Sequence, residues 1–272
     1  MQNKVIGVVA PKGSGKTTEV AELVRVTPRV AIYDPMAATD FQYRRVASHI
    51  VAHDLKEAHL LMAEENFQLL YEPELPTQDG DEWYYADFRP FLMKVWRRVQ
   101  LVGPMMLIID EAHYIMSAKT MPLEMWNIIT NGRRYGLDII WITQRFVGVN
   151  GWVRANADEY WFFRLVHPAD LSTVREIAGA EVSEQVRNLR RLDSTKIPPV
   201  AGELLIWSSL DGTMRKVDLS CGRKNLRLIQ NEEEIDSPDS NDAAESPSGS
   251  GASSPEKKAE FASDASILKK PS

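Results

Sequence analysis

Cysteine is almost absent from the sequence, and long apolar segments are missing altogether. The single cysteine, Cys221, excludes an intrachain disulfide and a cysteine-rich zinc site, and it favours a reducing compartment. No apolar run approaches the roughly 20 residues of a transmembrane helix, so no transmembrane segment is predicted. The first residues lack a basic stretch followed by an apolar core, which argues against a secretory signal. We therefore expect a soluble protein of the cytoplasm.

An excess of acidic or of basic residues is also missing, except at the C-terminal end. Residues 231–272 contain ten acidic and four basic residues, so they account for the whole formal net charge of −6. This stretch is rich in Ser, Pro and Ala and has few large apolar residues with which to form a core. We predict a folded domain over residues 1–230 and a disordered, acidic, Ser/Pro-rich tail over residues 231–272. The domain is neutral overall, which does not exclude binding to nucleic acid.

Within residues 1–230, short apolar runs alternate with amphipathic segments. Apolar runs that end at polar residues predict buried strands, and apolar residues three to four apart predict helices. This alternation predicts an α/β fold with a mainly parallel sheet and helices on both faces, and Asp211-Gly212 predicts a C-terminal β-hairpin. The predicted strands cover residues 5–9, 29–33, 49–51, 67–71, 105–109, 137–142, 159–164, 204–207 and 214–217. The predicted helices cover residues 41–48, 55–65, 83–99, 112–117, 123–134, 169–178 and 184–191, and another begins at residue 19.

A glycine-rich turn stands between the first predicted strand and the first predicted helix. Its residues are Ala10, Pro11, Lys12, Gly13, Ser14, Gly15, Lys16, Thr17 and Thr18. Glycines let successive backbone N–H groups point at phosphate oxygens, and the helix N-terminus adds its positive dipole end. Lys16 is expected at the β- and γ-phosphates and Thr17 at Mg²⁺. The order of strand, turn, Gly-Lys-Thr and helix predicts a phosphate-binding loop for ATP, although Ala10 replaces the first glycine of the strict motif.

Two acidic residues follow the apolar run over residues 105–109. Because the carboxyl ends of parallel strands meet at one sheet edge, Asp110 and Glu111 are expected beside the phosphate-binding loop. Asp110 is predicted to hold Mg²⁺, and Glu111 is predicted to orient and deprotonate the attacking water. A glutamate directly after the metal-binding aspartate favours hydrolysis over transfer to a small substrate. The alternative is that two acidic residues merely end a strand, and His113 is interpreted as a residue of a helix face.

Polar and basic residues flank the next predicted strand. Gln144 follows it, and an amide at this place is expected to contact the γ-phosphate or the attacking water. Arg133 and Arg134 precede the strand and would be surface charges in an isolated domain. In a ring, either one could supply an arginine finger to a neighbouring subunit's nucleotide, with Arg145 as the next choice. The sequence does not decide among the three.

Together these motifs resemble the HerA/FtsK superfamily of ring-forming ATPases, over about residues 4–180. The resemblance rests on the phosphate-binding loop, Tyr33-Asp34-Pro35, the Ile-Ile-Asp-Glu-Ala-His string at 108–113, Gly-Arg-Arg-Tyr-Gly-Leu at 132–137, Ile-Thr-Gln-Arg at 142–145 and residues 163–171. It implies a RecA-like (ASCE) P-loop NTPase fold. It also implies a homo-oligomeric ring, commonly a hexamer, that translocates double-stranded DNA.

Among these ATPases, a single-domain chain without a membrane anchor looks most like the genome-packaging ATPases of tailless, membrane-containing viruses and phages. The resemblance then implies ATP hydrolysis with Mg²⁺ that moves double-stranded DNA, without sequence specificity, into a capsid. Capsid or membrane-vertex proteins would be partners, and the location would be the host cytoplasm or the virion. The alternative is a nucleotide-gated phage assembly or scaffolding protein of the zonula occludens toxin type, which does not act on DNA. A small-molecule kinase is a third hypothesis, which the Asp110-Glu111 pair argues against.

Overall fold

A computed structural model describes residues 3–36, 43, 50–73, 82–193 and 202–219, all of which belong to the unit Met1–Glu233. Cys221, the predicted tail over residues 231–272 and all but Tyr43 of the predicted helix over residues 41–48 lie outside the described residues. Among the residues that are described, no helix is both long enough and apolar enough to cross a membrane.

Nine strands of the described part form one mixed sheet, in the order β3-β4-β2-β5-β6-β1-β7-β8-β9. Neighbours from β3 to β7 are parallel, and β8 pairs antiparallel with both β7 and β9. The strands are β1 (Val5–Val9), β2 (Arg29–Tyr33), β3 (Ile50–Ala52), β4 (Phe67–Tyr71), β5 (Met105–Ile109), β6 (Leu137–Thr143), β7 (Glu159–Phe163), β8 (Glu203–Ser208) and β9 (Met214–Asp218).

Helices lie in the connections between the strands from β1 to β8. They are α1 (Lys16–Val26), α2 (Leu55–Leu61), α3 (Glu82–Val102), α4 (Ala112–Ile115), α5 (Leu123–Asn131), α6 (Gly151–Ala155), α7 (Pro168–Ala178) and α8 (Ala180–Asn188), with 3₁₀ turns at Gly132–Tyr135 and Phe146–Gly148. The mainly parallel α/β architecture and the C-terminal hairpin that the sequence predicts are therefore confirmed. The alternation of apolar runs and helical patterns led to this prediction because the strands other than β9 are short and mostly apolar.

Several helix boundaries differ from the sequence-based prediction. The predicted helix over residues 184–191 begins four residues earlier, at Ala180, and ends at Asn188. Gly179, with φ of +94°, separates it from α7 by a single residue, a conformation that glycine adopts without steric cost. The helix predicted over residues 123–134 ends at Asn131 and continues as a 3₁₀ turn. Sequence patterns place helix ends only to within a few residues, because end turns often tighten to 3₁₀ geometry.

The sheet buries side chains on both faces, and successive residues of its central strands alternate between two clusters. In β5, Leu107 packs in the larger cluster with α3, α5 and α7, whereas Ile108 packs in the smaller cluster with α1. The period of two that strands impose explains this alternation, and it accounts for strands that are apolar throughout. Helices therefore cover both faces, as predicted.

The strand order brings the predicted functional motifs together. Strand β1 lies between β6 and β7, and β5 lies on the other side of β6. The residues that follow β1, β5 and β6 therefore emerge side by side at the carboxyl edge of the sheet. This edge, where the strand order changes direction, is the usual ligand site of an open parallel sheet.

Candidate active site

The loop between β1 and α1 has the backbone conformation of a phosphate cradle. Gly13 and Gly15 have φ of +73° and +92°, which side-chain-bearing residues rarely adopt. The N–H of Ala10 donates to the carbonyl of Thr143 at 3.0 Å, so the loop starts in register with the end of β6. The Ser14 hydroxyl oxygen is buried and makes no hydrogen bond to another residue in the described part of the chain. The loop thus presents polar groups that a ligand could satisfy.

Three functional side chains predicted from distant parts of the sequence converge at this loop. The Lys16 ammonium lies 3.5 Å from Oε1 of Glu111, and both side chains are 8% exposed. The Gln144 amide nitrogen donates to the same carboxylate oxygen. Glu111 is therefore the centre of a buried polar cluster formed by the ends of β1, β5 and β6.

Glu111 is held in a conformation that is unusual for a residue with a side chain. Its φ of +47° and ψ of +46° are left-handed, and its N–H donates to Oδ1 of Asp110 at 2.8 Å. The short helix α4 begins directly after it. This sharp turn separates the two neighbouring carboxylates, so that Asp110 and Glu111 can take different roles. Strain of this kind is found at functional sites, where the surrounding structure maintains it.

Buried carboxyl groups lie close together at this site, and their pKa values are raised. Burial, followed by the like charge of Asp110, raises the pKa of Asp34 to about 8. Burial is also the largest cause that raises the pKa of Asp110 to about 6, and Lys16 opposes this shift. Tyr43, which contributes a hydrogen bond to Asp110, has a pKa well above its usual value because it is fully buried. A divalent cation would favour the ionised form of these acids.

The residues fit the ATP and Mg²⁺ that the loop implies. The Ser14 hydroxyl oxygen and Oε2 of Glu111 are buried polar atoms that make no hydrogen bond to another described residue. Oxygen donors such as Thr17 and Asp110 suit Mg²⁺, which keeps most of its water ligands and needs few protein ligands. The described residues contain no group of three or more His, Cys, Asp or Glu side chains arranged to hold a metal.

His113 is a feature that the sequence interpretation missed. Its Nδ1 lies 3.1 Å from the Thr143 hydroxyl and 3.5 Å from Oε2 of Glu111. Burial is the largest cause that lowers the pKa of His113 below its usual value. Apart from the position of His113 two residues after Glu111, no local pattern signals these contacts, because Thr143 is 30 residues away.

Arg133 and Arg134 lie at the opposite edge of the sheet. A guanidinium nitrogen of Arg133 lies 2.5 Å from the buried Asp158 carboxylate, whose other oxygen accepts the N–H of Val5 at the start of β1. Arg134 is exposed, and no ion pair joins it to another described residue. The seven residues of β6, at about 3.3 Å each, separate this edge from Gln144 by roughly 20 Å. Neither arginine therefore reaches the loop of its own chain.

Arg145 lies at the same edge as the loop, but it is engaged elsewhere. Its Nε donates to Oδ2 of Asp170 at 3.1 Å, and Asp170 also accepts the N–H of Val147. The Asp170 side chain is 3% exposed, whereas that of Arg145 is 48% exposed. The buried carboxylate therefore fixes Arg145 against the N-terminal turn of α7, next to Gln144 in the chain.

Comparisons of sequence find two related groups. A family model described as zonular occludens toxin (Zot) matches residues 86–166, which include Asp110, Glu111 and Gln144. The chain is 27% identical over 104 residues to the DNA double-strand break repair helicase HerA of Sulfurisphaera tokodaii. That match covers 37% of this chain and 21% of HerA, so the chain spans about a fifth of the length of this curated relative.

Comparison of structures gives a broader match. The genome packaging NTPase of Sulfolobus turreted icosahedral virus 2, in complex with AMPPCP, superposes with a TM-score of 0.60 at 20% identity, over 79% of this chain and 97% of that one. This chain has a RecA-like P-loop NTPase fold. VirB4 of Thermoanaerobacter pseudethanolicus is also similar, with a TM-score of 0.54 at 12% identity over 78% and 88% of the two chains. The predicted likeness to P-loop ATPases of the HerA/FtsK type agrees with these matches.

Proposed function

We propose that this chain is an ATPase that uses Mg²⁺ and couples ATP hydrolysis to movement of double-stranded DNA. The observation that carries the proposal is the convergence of Lys16, Glu111 and Gln144 on one buried cluster beside the glycine-rich loop. Phosphoryl transfer to water requires a cation that contacts the phosphates, a carboxylate that activates the water and a polar group that orients it. Lys16, Glu111 and Gln144 supply these three groups. Residues 1–230 would form the ATPase domain, and residues 231–272 would form an acidic tail.

Each group has a distinct task in the proposed reaction. The loop residues from Ala10 to Thr18 hold the phosphates through backbone N–H groups, and Lys16 neutralises charge on the β- and γ-phosphates. Thr17 and Asp110 would hold Mg²⁺, which supplies electrostatic stabilisation of the phosphate oxygens. Glu111 accepts a proton from water as the water oxygen bonds to the γ-phosphorus. The bond from that phosphorus to the bridging oxygen of ADP breaks, which yields ADP and phosphate.

A neighbouring copy of the chain would complete the site. Because Arg134 lies roughly 20 Å from the carboxyl edge, it can serve only another subunit's nucleotide. Its exposure makes it a better arginine finger than Arg133, which is engaged by Asp158. A site shared by adjacent subunits calls for a head-to-tail arrangement, and such an arrangement closes into a ring when the rotation permits. We propose a homo-oligomeric ring, with a hexamer as the expected size.

The biological role that we infer is packaging of a viral or phage genome. The proposal is supported by the fold shared with a genome packaging NTPase and by the sequence similarity to a helicase of DNA repair. Double-stranded DNA would be bound without sequence specificity, through its phosphates. Capsid or membrane-vertex proteins would be further partners, and the protein would act in the host cytoplasm or on the virion.

The match to the Zot family model over residues 86–166 favours one alternative. In that case the chain would be a nucleotide-gated assembly or scaffolding protein that does not act on DNA. The two functions differ in whether DNA changes the rate of hydrolysis.

The deciding experiment measures phosphate release from ATP with and without double-stranded DNA of several unrelated sequences. A motor is expected to hydrolyse ATP several times faster with DNA, to a similar extent for each sequence, and with a rate that falls as salt is raised. Hydrolysis that is indifferent to DNA would favour the assembly protein. Absence of any hydrolysis by an oligomeric sample would refute both the motor and the roles given to Glu111 and Gln144.

A further inference from the structure

His113 connects the carboxylate of Glu111 to the end of β6. Its Nδ1 lies within 3.5 Å of Oε2 of Glu111 and 3.1 Å from the hydroxyl oxygen of Thr143. The opposite oxygen of the same carboxylate, Oε1, is contacted by Lys16 and Gln144. The two oxygens thus face different side chains, with Lys16 and Gln144 at Oε1 and His113 at Oε2.

The partner of His113 on β6 is itself built into the site. The Thr143 hydroxyl donates to the carbonyl of Arg145 and accepts the N–H of the same residue, each at 3.1 Å. The Thr143 carbonyl accepts the N–H of Ala10, the first residue of the phosphate-binding loop. Thr143 is fully buried. A side chain bonded to Thr143 is therefore tied to the loop and to the segment that carries Gln144 and Arg145.

The imidazole of His113 also has little freedom to turn away. Its ring centroid is 4.2 Å from that of Tyr114, and its side chain is only 18% exposed. A Cβ added at Gly148 would lie 3.2 Å from Cβ of His113, so the turn after β6 packs closely against this residue. A glycine at 148 leaves the space in which the histidine lies.

We propose that His113 is a positioning residue that aligns the Glu111 carboxylate with the end of β6. The inference rests on the proposed role of Glu111 as the base for water. Without the imidazole, Oε2 of Glu111 would lose its neighbour, and the carboxylate would be free to rotate away from the position that Lys16 and Gln144 define. Misplacement of a general base by a fraction of an ångström lowers turnover without weakening the binding of phosphates.

The experiment compares three substitutions of His113 that move or remove the side-chain nitrogen. His113→Asn puts an amide nitrogen at the δ position, as Nδ1 does, and His113→Gln puts it one bond further out. His113→Ala removes the group. Each variant is made in the full-length chain and assayed for kcat and KM of ATP hydrolysis and for Kd of ATPγS. His59→Ala, at an exposed histidine on α2, is the matched control.

We expect His113→Ala and His113→Gln to lower kcat about tenfold or more, with KM, Kd and melting temperature close to those of wild type. His113→Asn should recover most of the rate, and His59→Ala should behave as wild type. When Thr143→Val is combined with His113→Ala, the fold-decrease in kcat should be smaller than the product of the two separate decreases. Both substitutions break the same contact between His113 and Thr143.

Two results would overturn the role of His113. One is wild-type turnover in His113→Ala and His113→Gln. The other is an equal loss in the Asn, Gln and Ala variants with a parallel fall in melting temperature, which would mean a packing role only. If the alanine variant fails to fold, comparison of kcat between His113→Asn and His113→Gln still tests the role of His113. A wild-type protein that hydrolyses no ATP would instead refute the proposed function, whereas an active wild type with unaffected variants refutes the positioning role alone.

Discussion

The Lys16 ammonium and the Glu111 carboxylate form an ion pair at 3.5 Å, although 95 residues separate them in the chain. Both side chains are almost completely buried, so each charge depends on the other for compensation. Phosphate oxygens and the carboxylate would therefore compete for the same ammonium. In the proposed reaction, binding of a triphosphate would draw Lys16 towards the phosphates and leave Gln144 as the remaining contact of Oε1.

Substitution of either partner should separate binding from hydrolysis. We expect Glu111→Gln to bind ATP at least as tightly as wild type, because Lys16 no longer has a carboxylate partner, and to lose hydrolysis by a factor of about 10² or more. Lys16→Ala should lose both ATP binding and turnover. Titration with a fluorescent ATP analogue and a phosphate-release assay measure the two effects. Unchanged turnover in Glu111→Gln would remove this residue from the role of base.

Arg133 and Arg134 should give opposite patterns when each is changed to alanine. Arg134→Ala is expected to keep its melting temperature and ATP affinity while losing about 10³-fold in kcat, as loss of an arginine finger does. Arg133→Ala leaves the buried Asp158 without its partner and should lower the melting temperature.

Mixing experiments test whether Arg134 acts across subunits. An Arg134→Ala subunit has an intact loop, and a Glu111→Gln subunit has an intact Arg134. Mixed oligomers of these two inactive variants should therefore recover part of the activity, since some sites combine a wild-type loop with a wild-type arginine. No recovery in mixtures shown to exchange subunits would contradict a finger in trans and would direct attention to Arg145.

Gly7 in β1 is required by the packing of Trp141. A Cβ at this position would overlap Cζ2 of the indole and lie 2.6 Å from Cη2, and Trp141 is fully buried. Gly7→Ala should therefore destabilise the domain by about 1–3 kcal/mol, a fall in melting temperature of several degrees. Trp141→Phe removes the two clashing atoms. The double variant should therefore lose less stability than the sum of the losses in the two single variants. Additive losses of stability, measured by thermal unfolding, would contradict this explanation.

The pKa of Asp34 predicts how stability changes with pH. Its pKa is about 8 in the folded chain and 3.8 in a model peptide, so the folded state binds the proton more tightly. The stabilisation from this proton is complete below pH 4 and disappears as the pH rises through 8. Asp34→Asn, which keeps an acceptor for the N–H of Met36, should melt at higher temperature than wild type at pH 8. At pH 4 the two should melt alike, and a difference that does not grow with pH would disprove the assignment.

Local sequence was sufficient to predict the elements that carry the site. The glycine-rich turn, Asp110 with Glu111, and Gln144 each follow a short apolar run, and parallel pairing then requires that they meet at one edge. No information about contacts was needed for that step. The fold class followed in the same way, from strands that are apolar throughout.

Pairs of residues that are distant in sequence could not be predicted. Arg133 and Asp158 are 25 residues apart, and nothing local distinguishes an arginine held by a buried carboxylate from one free in solvent. His113 was interpreted as a helix-face residue for the same reason, since its partner Thr143 lies on another strand. Polar partners depend on where side chains meet in three dimensions, and composition and periodicity do not encode this.

The left-handed backbone at Glu111 sets a local backbone cost against the need for a carboxylate. A residue with a Cβ pays roughly 1–2 kcal/mol to adopt this conformation, and glycine does not. Glycine at position 111 would remove that cost, but it would leave the buried Lys16 ammonium without its carboxylate partner. A glycine variant is therefore expected to lose hydrolysis without a gain in heat resistance.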